Sequence, residues 1–200
     1  MWQLVIGAIL INNLVLAKFL GLCPFFGVSR KLSSALYMGI AVILVMFMST
    51  LLTTAIDQYV LTPFGVGYLR IFSFILIIAA VVQVLDGLIH HLSPKLYESV
   101  GVYLPLIGTN CAIFGMSLIA VGENMYTGER FGFLEAAVWA IASGVGFTLV
   151  LVIMAGIREH LEFARLPAAF KGLPAAFLSA GLIALAFSGF AGFNLIAAGH

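Results

Sequence analysis

Charged side chains are scarce in this 200-residue chain. Lys and Arg number 9 and Asp and Glu number 8, so 8% of the residues are charged while 63% are hydrophobic. Soluble domains carry about 25% charged residues, because polar side chains must cover their surface. The mean hydropathy of +1.19 indicates that lipid is the main solvent. A net charge of +1 provides no basic field for a polyanion, which argues against nucleic-acid binding.

The sequence also has no polar tract long enough to form a soluble domain, and no basic region precedes its first apolar stretch as in a signal peptide. Its apolar residues fall into six windows of about the 20 residues that a membrane-spanning helix needs. These windows are approximately 2–22, 35–56, 70–90, 100–121, 133–157 and 173–195. We therefore expect an all-α integral membrane protein with six transmembrane segments, forming a single membrane domain over 1–200.

Basic residues in the predicted loops indicate the orientation, because short cytoplasmic loops are enriched in Lys and Arg. The first, third and fifth connections carry six of them: Arg30, Lys31, Lys95, Arg158, Arg165 and Lys171. The second and fourth connections carry two, Arg70 and Arg130. The odd connections are therefore expected in the cytoplasm, and both termini outside it.

The chain has only two cysteines, and they lie in matching segments. Residues 23–29 and 111–117 share the pattern C-x-x-F-G-x-S at an offset of 88 residues. Each half of the chain contains three apolar windows, and because three is odd, the second half must be inverted relative to the first. We expect two inverted three-helix repeats, about 1–92 and 93–200, whose cysteines approach from opposite faces of the membrane.

Glycine and proline, which weaken helix interiors, flank both cysteines: Gly21 and Pro24 in the first segment, and Pro105, Gly108 and Gly115 in the second. Within a membrane, irregular backbone is tolerated where it is buried in protein or lines a cavity. Broken helices at corresponding positions of inverted halves are typical of a site near the bilayer midplane. We expect broken half-helices that meet there, each carrying one thiol.

Two thiols at such a site have several interpretations. Cysteine often serves as a small buried hydrophobe, but its recurrence at matching positions favours a chemical role. A disulfide is disfavoured, because a pair at the midplane is screened from oxidising machinery. Thiolates ligate iron–sulfur clusters, zinc or copper(I), and a structural zinc has little reason to lie in a membrane core. A cluster needs four thiolates, so a second subunit would supply the other pair. The residues alone leave the cluster and copper(I) open.

Three blocks of the sequence resemble the RnfA family. Residues 11–29 are similar to its first conserved block, 103–115 to its second and 155–159 to its third. The two cysteine blocks are specific to the superfamily of RnfA/RnfE and NqrD/NqrE, and Asn12, Asn13 and Lys18 resemble RnfA more than NqrE. The resemblance implies a subunit of an ion-translocating ferredoxin:NAD oxidoreductase in the bacterial inner membrane, which is catalytic only as part of the complex.

The resemblance also implies a cofactor and partners. Cys23 and Cys111 would be this chain's ligands to a 2Fe-2S cluster shared with an RnfE-like homologue of opposite topology, alongside Rnf subunits B, C, D and G. Because about 30 Å of hydrocarbon is too far for one efficient electron transfer, a cluster at the midplane would divide the path. Reduction would add a negative charge to the cluster, and this charge would attract Na⁺ or H⁺. Two alternatives stay open: an NqrE-type subunit of a Na⁺-translocating NADH:quinone reductase, and a secondary transporter with inverted repeats.

A few polar groups inside the windows are further candidates. Asp86 is either an interfacial charge or an ion-entry ligand. Lys18, about one helical turn before Cys23, is placed to offset a cluster's charge, to pair with a partner subunit or to reach the membrane surface. Asn12, Asn13 and Asn110 are expected to form interhelical hydrogen bonds, and Asn110 is also a candidate for the ion pathway.

The remaining candidates have simpler expected roles. His90 and His91 are expected at a membrane edge. Gly144 and Gly146 are expected to allow close helix packing. Three glutamates around the fourth connection predict a solvated acidic rim or, alternatively, an ion-exit vestibule: Glu123, Glu129 and Glu135.

Overall fold

The computed structural model describes residues 5, 7–11, 13–29, 31–92, 104–122, 132–163, 167 and 172–197. Throughout these ranges the regular structure is helical and contains no strand, which confirms the all-α class. The main helices are α1 (Leu22–Val28), α2 (Leu32–Ile56), α3 (Arg70–Leu92), α4 (Leu104–Gly108), α5 (Cys111–Val121), α6 (Phe133–Phe163) and α7 (Leu173–Ala197). π-Helical turns occupy Gly7–Ile11 and Asp57–Leu61, and a 3₁₀ turn occupies Gly67–Leu69.

Three described segments are long and apolar enough to cross a membrane: Leu32–Phe64, Gly67–Leu88 and Phe133–Phe163. Pro105–Val121 and Leu173–Gly189 are apolar but shorter. These segments agree with five of the six predicted windows, whereas the described residues of the first window form no long helix. The six-span arrangement, the single domain and the repeat boundaries stay predictions.

Two windows differ from the helices that the structure contains. The window 2–22 is not a continuous helix, because turns occupy 14–18 and α1 begins only at Leu22. The window 133–157 is too short, since α6 continues to Phe163. Arg158 therefore lies inside a helix and not in a loop. Among the basic residues used for orientation, five lie outside the described residues: Arg30, Lys95, Arg130, Arg165 and Lys171.

Helices α2 and α6 form the centre of the fold. They run antiparallel, because Gly39 lies against the Thr148 side chain while Gly144 lies against Ile43 further along α2. A Cβ atom on Gly144 would lie 3.2 Å from the Ile43 Cα. Such close approach is typical of small residues in membrane helices. The predicted packing role of Gly144 is thereby confirmed.

Gly146, half a turn from Gly144, serves the same purpose on another side of α6. A Cβ atom there would lie 3.1 Å from both the Cα and the carbonyl oxygen of Ile9. The π-helical turn Gly7–Ile11 thus packs directly on α6. This confirms the predicted role of Gly146 and places the segment before the first cysteine against the centre of the fold.

Candidate functional site

Both cysteines lie immediately after a break in the helical backbone. Cys23 is the second residue of α1, which follows Gly21 in a left-handed conformation with φ 79° and ψ 26°. Cys111 is the first residue of α5, which follows Asn110 in an extended conformation. Pro24 is tolerated because the first turn of a helix needs no backbone N–H donor there. The predicted helix breaks at both cysteine segments are therefore confirmed.

The irregular stretch before α1 is organised by Asn13. Its side-chain oxygen accepts a hydrogen bond from the Val15 amide at 3.1 Å, and its backbone oxygen accepts one from the Ala17 amide at 2.9 Å. Its side-chain nitrogen donates to the carbonyl oxygens of Ile9 and Gly146, each at 3.0 Å. The bond to Gly146 reaches α6, which confirms the predicted interhelical role of Asn13. Asn12 lies outside the described residues.

Lys18 lies at the end of this stretch, in a turn and exposed. The expectation that it lies one helical turn before Cys23 is wrong, because α1 begins at Leu22 and the intervening Phe19 and Gly21 have φ values of 55° and 79°. A left-handed φ at Phe19 is uncommon for a bulky residue and prevents a helix from running through it. The role of Lys18 stays a prediction.

The two cysteine segments meet at Gly21. Its amide nitrogen donates a hydrogen bond to the Cys111 Sγ atom across 2.8 Å. Cys23 is only two residues further along the chain, and two residues span at most about 7 Å. The fold therefore brings the two cysteine-bearing segments into contact, and the joint role of their thiols stays a prediction.

Close packing surrounds this contact. A Cβ atom on Gly21 would lie 2.8 Å from a ring carbon of Phe147 and 3.0 Å from the Ala112 Cβ. The left-handed φ also disfavours any side chain. Glycine is thus required here both by the backbone conformation and by the available space, and its amide is held facing the sulfur.

Asn110 precedes Cys111 and caps α5. Its side-chain oxygen accepts a hydrogen bond from the Ala112 amide at 3.0 Å, as expected of an N-cap asparagine. Among the described residues the predicted interhelical hydrogen bond of Asn110 is not found, and its oxygen bonds within α5 instead. Asn110 is 2% exposed, and its side-chain nitrogen has no partner among the residues that the structure describes. Its role in an ion pathway stays a prediction.

A cavity of about 280 Å³ lies beside Cys111. It is lined by Ile75, Ile78, Gly108, Thr109, Asn110, Cys111 and Phe114. The cavity lies between α3 and the break that separates α4 from α5. Irregular backbone that lines a cavity is the arrangement expected for a broken membrane helix.

The thiols themselves are free and differ in exposure. Cys23 is exposed, whereas Cys111 is half-buried. Within the described ranges no three His, Cys, Asp or Glu residues are grouped as a metal site. Two thiols and an amide donor directed at sulfur fit one half of an iron–sulfur ligand set, since hydrogen bonds to the sulfurs help to set a cluster's properties. The other two thiolates would have to come from another chain.

Asp86 lies on the inward face of α3. It follows Phe74, Ile78 and Val82, which are buried, at a spacing of four residues. Such spacing places all four on one side of a helix. Asp86 itself is half-buried, and its Oδ1 atom has no partner in the described part of the chain. The same face reaches the cavity beside Cys111 through Ile78. Whether Asp86 is an ion ligand stays a prediction.

The weaker candidates lie at helix ends. His90 and His91 are exposed near the end of α3, with ring centroids 5.9 Å apart. Glu135 lies in the first turn of α6 and accepts a long hydrogen bond from the Gly132 amide at 3.4 Å. Glu123 and Glu129 lie outside the described residues.

Two polar arrangements are not predicted from the sequence. Arg70 donates to Asp57 through Nε at 2.7 Å, and Asp57 is 1% exposed. Arg158 donates through one nitrogen to the Phe26 carbonyl oxygen at 2.8 Å and to the Ser29 hydroxyl at 2.9 Å. The opposite charges of Asp57 and Arg70 on either side of a Pro- and Gly-containing turn are a usable signal for the first. The second joins distant parts of the chain and leaves no local signal.

The described residues are helical, and two interrupted apolar segments that each carry a cysteine meet at Gly21 and Cys111. These features define a membrane protein with a candidate site at the breaks in its helices. The family described as "Rnf-Nqr subunit, membrane protein" matches residues 1–194. The chain therefore belongs to the Rnf-Nqr family, which confirms the resemblance drawn from its cysteine blocks.

Named relatives agree with this assignment. The chain is 49% identical over 190 residues to the A subunit of the ion-translocating oxidoreductase complex of Azoarcus sp. (strain BH72), covering 95% of each chain. It is 48% identical to the protein of that name from Syntrophotalea carbinolica and 46% identical to the one from Vibrio cholerae serotype O1. Each of these two matches spans 189 residues, which is 94% of this chain and 95% of the relative.

Proposed function

We propose that this chain is a membrane subunit of an ion-translocating ferredoxin:NAD oxidoreductase complex of the Rnf type, and that Cys23 and Cys111 ligate a 2Fe-2S cluster shared with a homologous RnfE-like subunit. The observation that carries the proposal is the hydrogen bond from the Gly21 amide to the Cys111 Sγ, which joins the two cysteine segments. The names of the relatives support the complex, and the thiolate count supports a shared site.

Reciprocal packing supports an inverted repeat. Gly27 and Gly115 each lie four residues after a cysteine. Gly115 packs against Leu20, which precedes the other cysteine. A Cβ atom on Gly27 would lie 3.7 Å from the side chain of Leu106, which precedes Cys111. The two leucines do not occupy matching positions, but each glycine contacts the segment that leads to the other cysteine, as in an approximate two-fold arrangement. This exchange of contacts favours the arrangement in which the two short helices α1 and α5 meet from opposite sides of the membrane.

The protein's contribution at this site is to position two thiolates. Gly21 directs its amide at the Cys111 sulfur, Asn110 caps the helix that carries that cysteine, and Asn13 fixes the backbone that leads to Cys23. Phe147 and Ala112 exclude any side chain at Gly21. When bound, a 2Fe-2S cluster supplies a one-electron carrier within the hydrocarbon layer.

The exposed Cys23 supports a shared site. A thiolate at the protein surface within a membrane is unfavourable unless a partner covers it, because charge in hydrocarbon is costly. A second subunit with two thiolates of its own would both cover Cys23 and complete the ligand set. The complex, rather than this chain by itself, would then couple electron transfer to movement of Na⁺ or H⁺ across the bacterial inner membrane.

The test is anaerobic purification of the complex with Cys23→Ala or Cys111→Ala, followed by iron and sulfide analysis and EPR of the reduced sample. Each substitution is expected to abolish the 2Fe-2S signal, because the ligand set falls from four thiolates to three. Thr109→Ala is the control, since Thr109 is exposed, lines the same cavity and bonds only to the Pro105 carbonyl among the contacts described. A signal that survives either cysteine substitution would contradict the proposal. Absence of iron from the unsubstituted complex would favour a secondary transporter.

A further inference from the structure

One face of α2 carries a series of buried polar side chains. Ser49, Thr50, Thr53, Thr54 and Asp57 are each at most 1% exposed. At 100° per residue, these positions fall within an arc of about 140°, and they extend for about 12 Å along the helix axis. We call these five residues the hydroxyl face. It lies within the apolar segment Leu32–Phe64, which is long enough to span a membrane.

Most of the hydroxyl groups on this face lack the hydrogen bond that a helix normally provides. Ser49 Oγ, Thr50 Oγ1 and Thr54 Oγ1 have no partner in the part of the chain that the structure describes. Thr53, by contrast, donates to the carbonyl oxygens of Ser49 and Thr50 at 2.8 and 3.1 Å.

Three other buried or half-buried hydroxyls bond within their own helices. Ser117, Thr148 and Ser179 each donate to the carbonyl oxygen four residues earlier. Small polar residues that serve only helix packing are satisfied in this way. Three orphaned hydroxyls on one buried face therefore need another explanation, because leaving such groups without a partner is unfavourable.

The hydroxyl face ends at a carboxylate. Asp57 begins the π-helical turn Asp57–Leu61, and π-helical insertions occur frequently at functional sites. Its Oδ1 atom accepts from Arg70 Nε at 2.7 Å, while its Oδ2 atom is 3.4 Å from an Arg70 Nη atom. Arg70 is 33% exposed. The Asp57 carboxylate thus has one well-formed contact and one weak contact with Arg70. The partly exposed Arg70 lies at the Asp57 end of the hydroxyl face.

We infer that the hydroxyl face is a path for partly dehydrated Na⁺ ions, along which Ser49, Thr50 and Thr54 supply neutral oxygen ligands at successive positions and Asp57 supplies the charge at the end. Hard cations prefer oxygen ligands, and hydroxyl groups replace hydration water without adding charge to the membrane interior. Arg70 competes with the cation for Asp57, so binding and release are coupled to that ion pair. The inference rests on the proposed function, because it assigns to one face of α2 the passage of the ion that the complex translocates.

The test is ²²Na⁺ uptake into vesicles containing the whole complex, driven by its electron-transfer reaction over a range of Na⁺ concentrations. The double variant Thr50→Val with Thr54→Val removes two orphaned hydroxyls at nearly constant volume. We expect it to raise the Na⁺ concentration for half-maximal uptake at least tenfold. Thr53→Val is the matched control, because its hydroxyl is equally buried but already bonded, and we expect less than a twofold change.

A second pair of substitutions covers the case in which the valine variant fails to assemble. Thr50→Ser with Thr54→Ser keeps both hydroxyls and is expected to retain the unsubstituted half-maximal concentration, whereas Asp57→Asn is expected to raise it. Equal values for Asp57→Asn and the serine variant, or for the valine variant and Thr53→Val, would overturn the inference. So would proton uptake that is independent of Na⁺.

The 2Fe-2S EPR signal of the same samples separates the two proposals. If the signal is present and the Na⁺ dependence does not respond to these substitutions, the hydroxyl face is not the ion path but the cluster assignment stands. If the unsubstituted complex has no such signal, the proposed function itself fails.

Discussion

At the scale of single residues, Gly21 has the most constrained position in the site. It combines a left-handed backbone, a crowded environment and an amide directed at the Cys111 sulfur. Gly65 has a similar φ of 67°, but a Cβ atom there would meet nothing within 4 Å. Substitutions at these two glycines therefore distinguish the free-energy cost of the backbone conformation from the free-energy cost of crowding.

We predict that Gly21→Ala destabilises the protein more than Gly65→Ala does. A left-handed conformation costs a residue with a side chain about 1–2 kcal/mol, which both variants incur. Overpacking against Phe147 and Ala112 adds about 1–3 kcal/mol at Gly21 only. Thermal unfolding of the purified complex measures the difference. Equal shifts in the midpoint for the two variants would show that the space around Gly21 adapts without strain.

The sequence predicts part of this site and not the rest. Glycine and proline around both cysteines are enough to predict interrupted helices, because their effect on the backbone is local. That the Gly21 amide faces Cys111 depends on how distant segments pack, which composition does not reveal. Asn110 illustrates the same limit, since its capping of α5 depends on where that helix begins.

At the scale of elements, the interface between α2 and α6 determines where the site can form. Gly39 and Gly144 allow the two helices to approach, and Gly146 allows the π-helical turn Gly7–Ile11 to lie on α6. The stretch leading to Cys23 is then attached to α6 through Asn13. The geometry near Cys23 thus depends on how α2, α6 and the π-helical turn pack against one another.

Gly144→Ala is expected to weaken this interface by about 1–3 kcal/mol, because the added methyl group would lie 2.9 Å from a side-chain carbon of Ile43 and 3.2 Å from its Cα. Gly156 is the matched control on the same helix, since a Cβ atom there meets nothing within 4 Å. Gly156→Ala is expected to be neutral or to stabilise α6 by up to about 1 kcal/mol through its higher helix propensity. Unfolding midpoints that rank the two variants in the opposite order would contradict this account.

Apolar windows predict helices better than they predict what those helices contain. The window 35–56 agrees with α2 to within a few residues, yet it conceals the hydroxyl face, because serine and threonine barely affect an average over twenty residues. In the sequence Asp57 marks only the end of that window, although the structure buries it beside Arg70. The sequence places Arg158 in a loop because charge commonly ends an apolar window, whereas its guanidinium group finds polar partners at Phe26 and Ser29.

At the scale of the whole molecule, the basic-residue count predicts that both termini are extracytoplasmic. A reporter that is active only outside the cytoplasm should therefore be active when fused after His200 and inactive when inserted near Lys95, because these positions would be on opposite sides of the membrane. Fusion near Arg130 is the control on the outer side. Activity near Lys95 would show that the predicted orientation is inverted. An inactive fusion after His200 together with an active one near Arg130 would mean that the chain crosses the membrane an odd number of times between these two positions.

The contacts that shape the first cysteine segment also determine when it can be completed during synthesis. Asn13 and Gly146 are 133 residues apart, Arg158 and Phe26 are 132 apart, and Gly21 and Cys111 are 90 apart. The ribosome produces the residues around Cys23 well before their partners, which emerge 90 or more residues later. The segment around Cys23 can therefore acquire its final structure only long after it has been made.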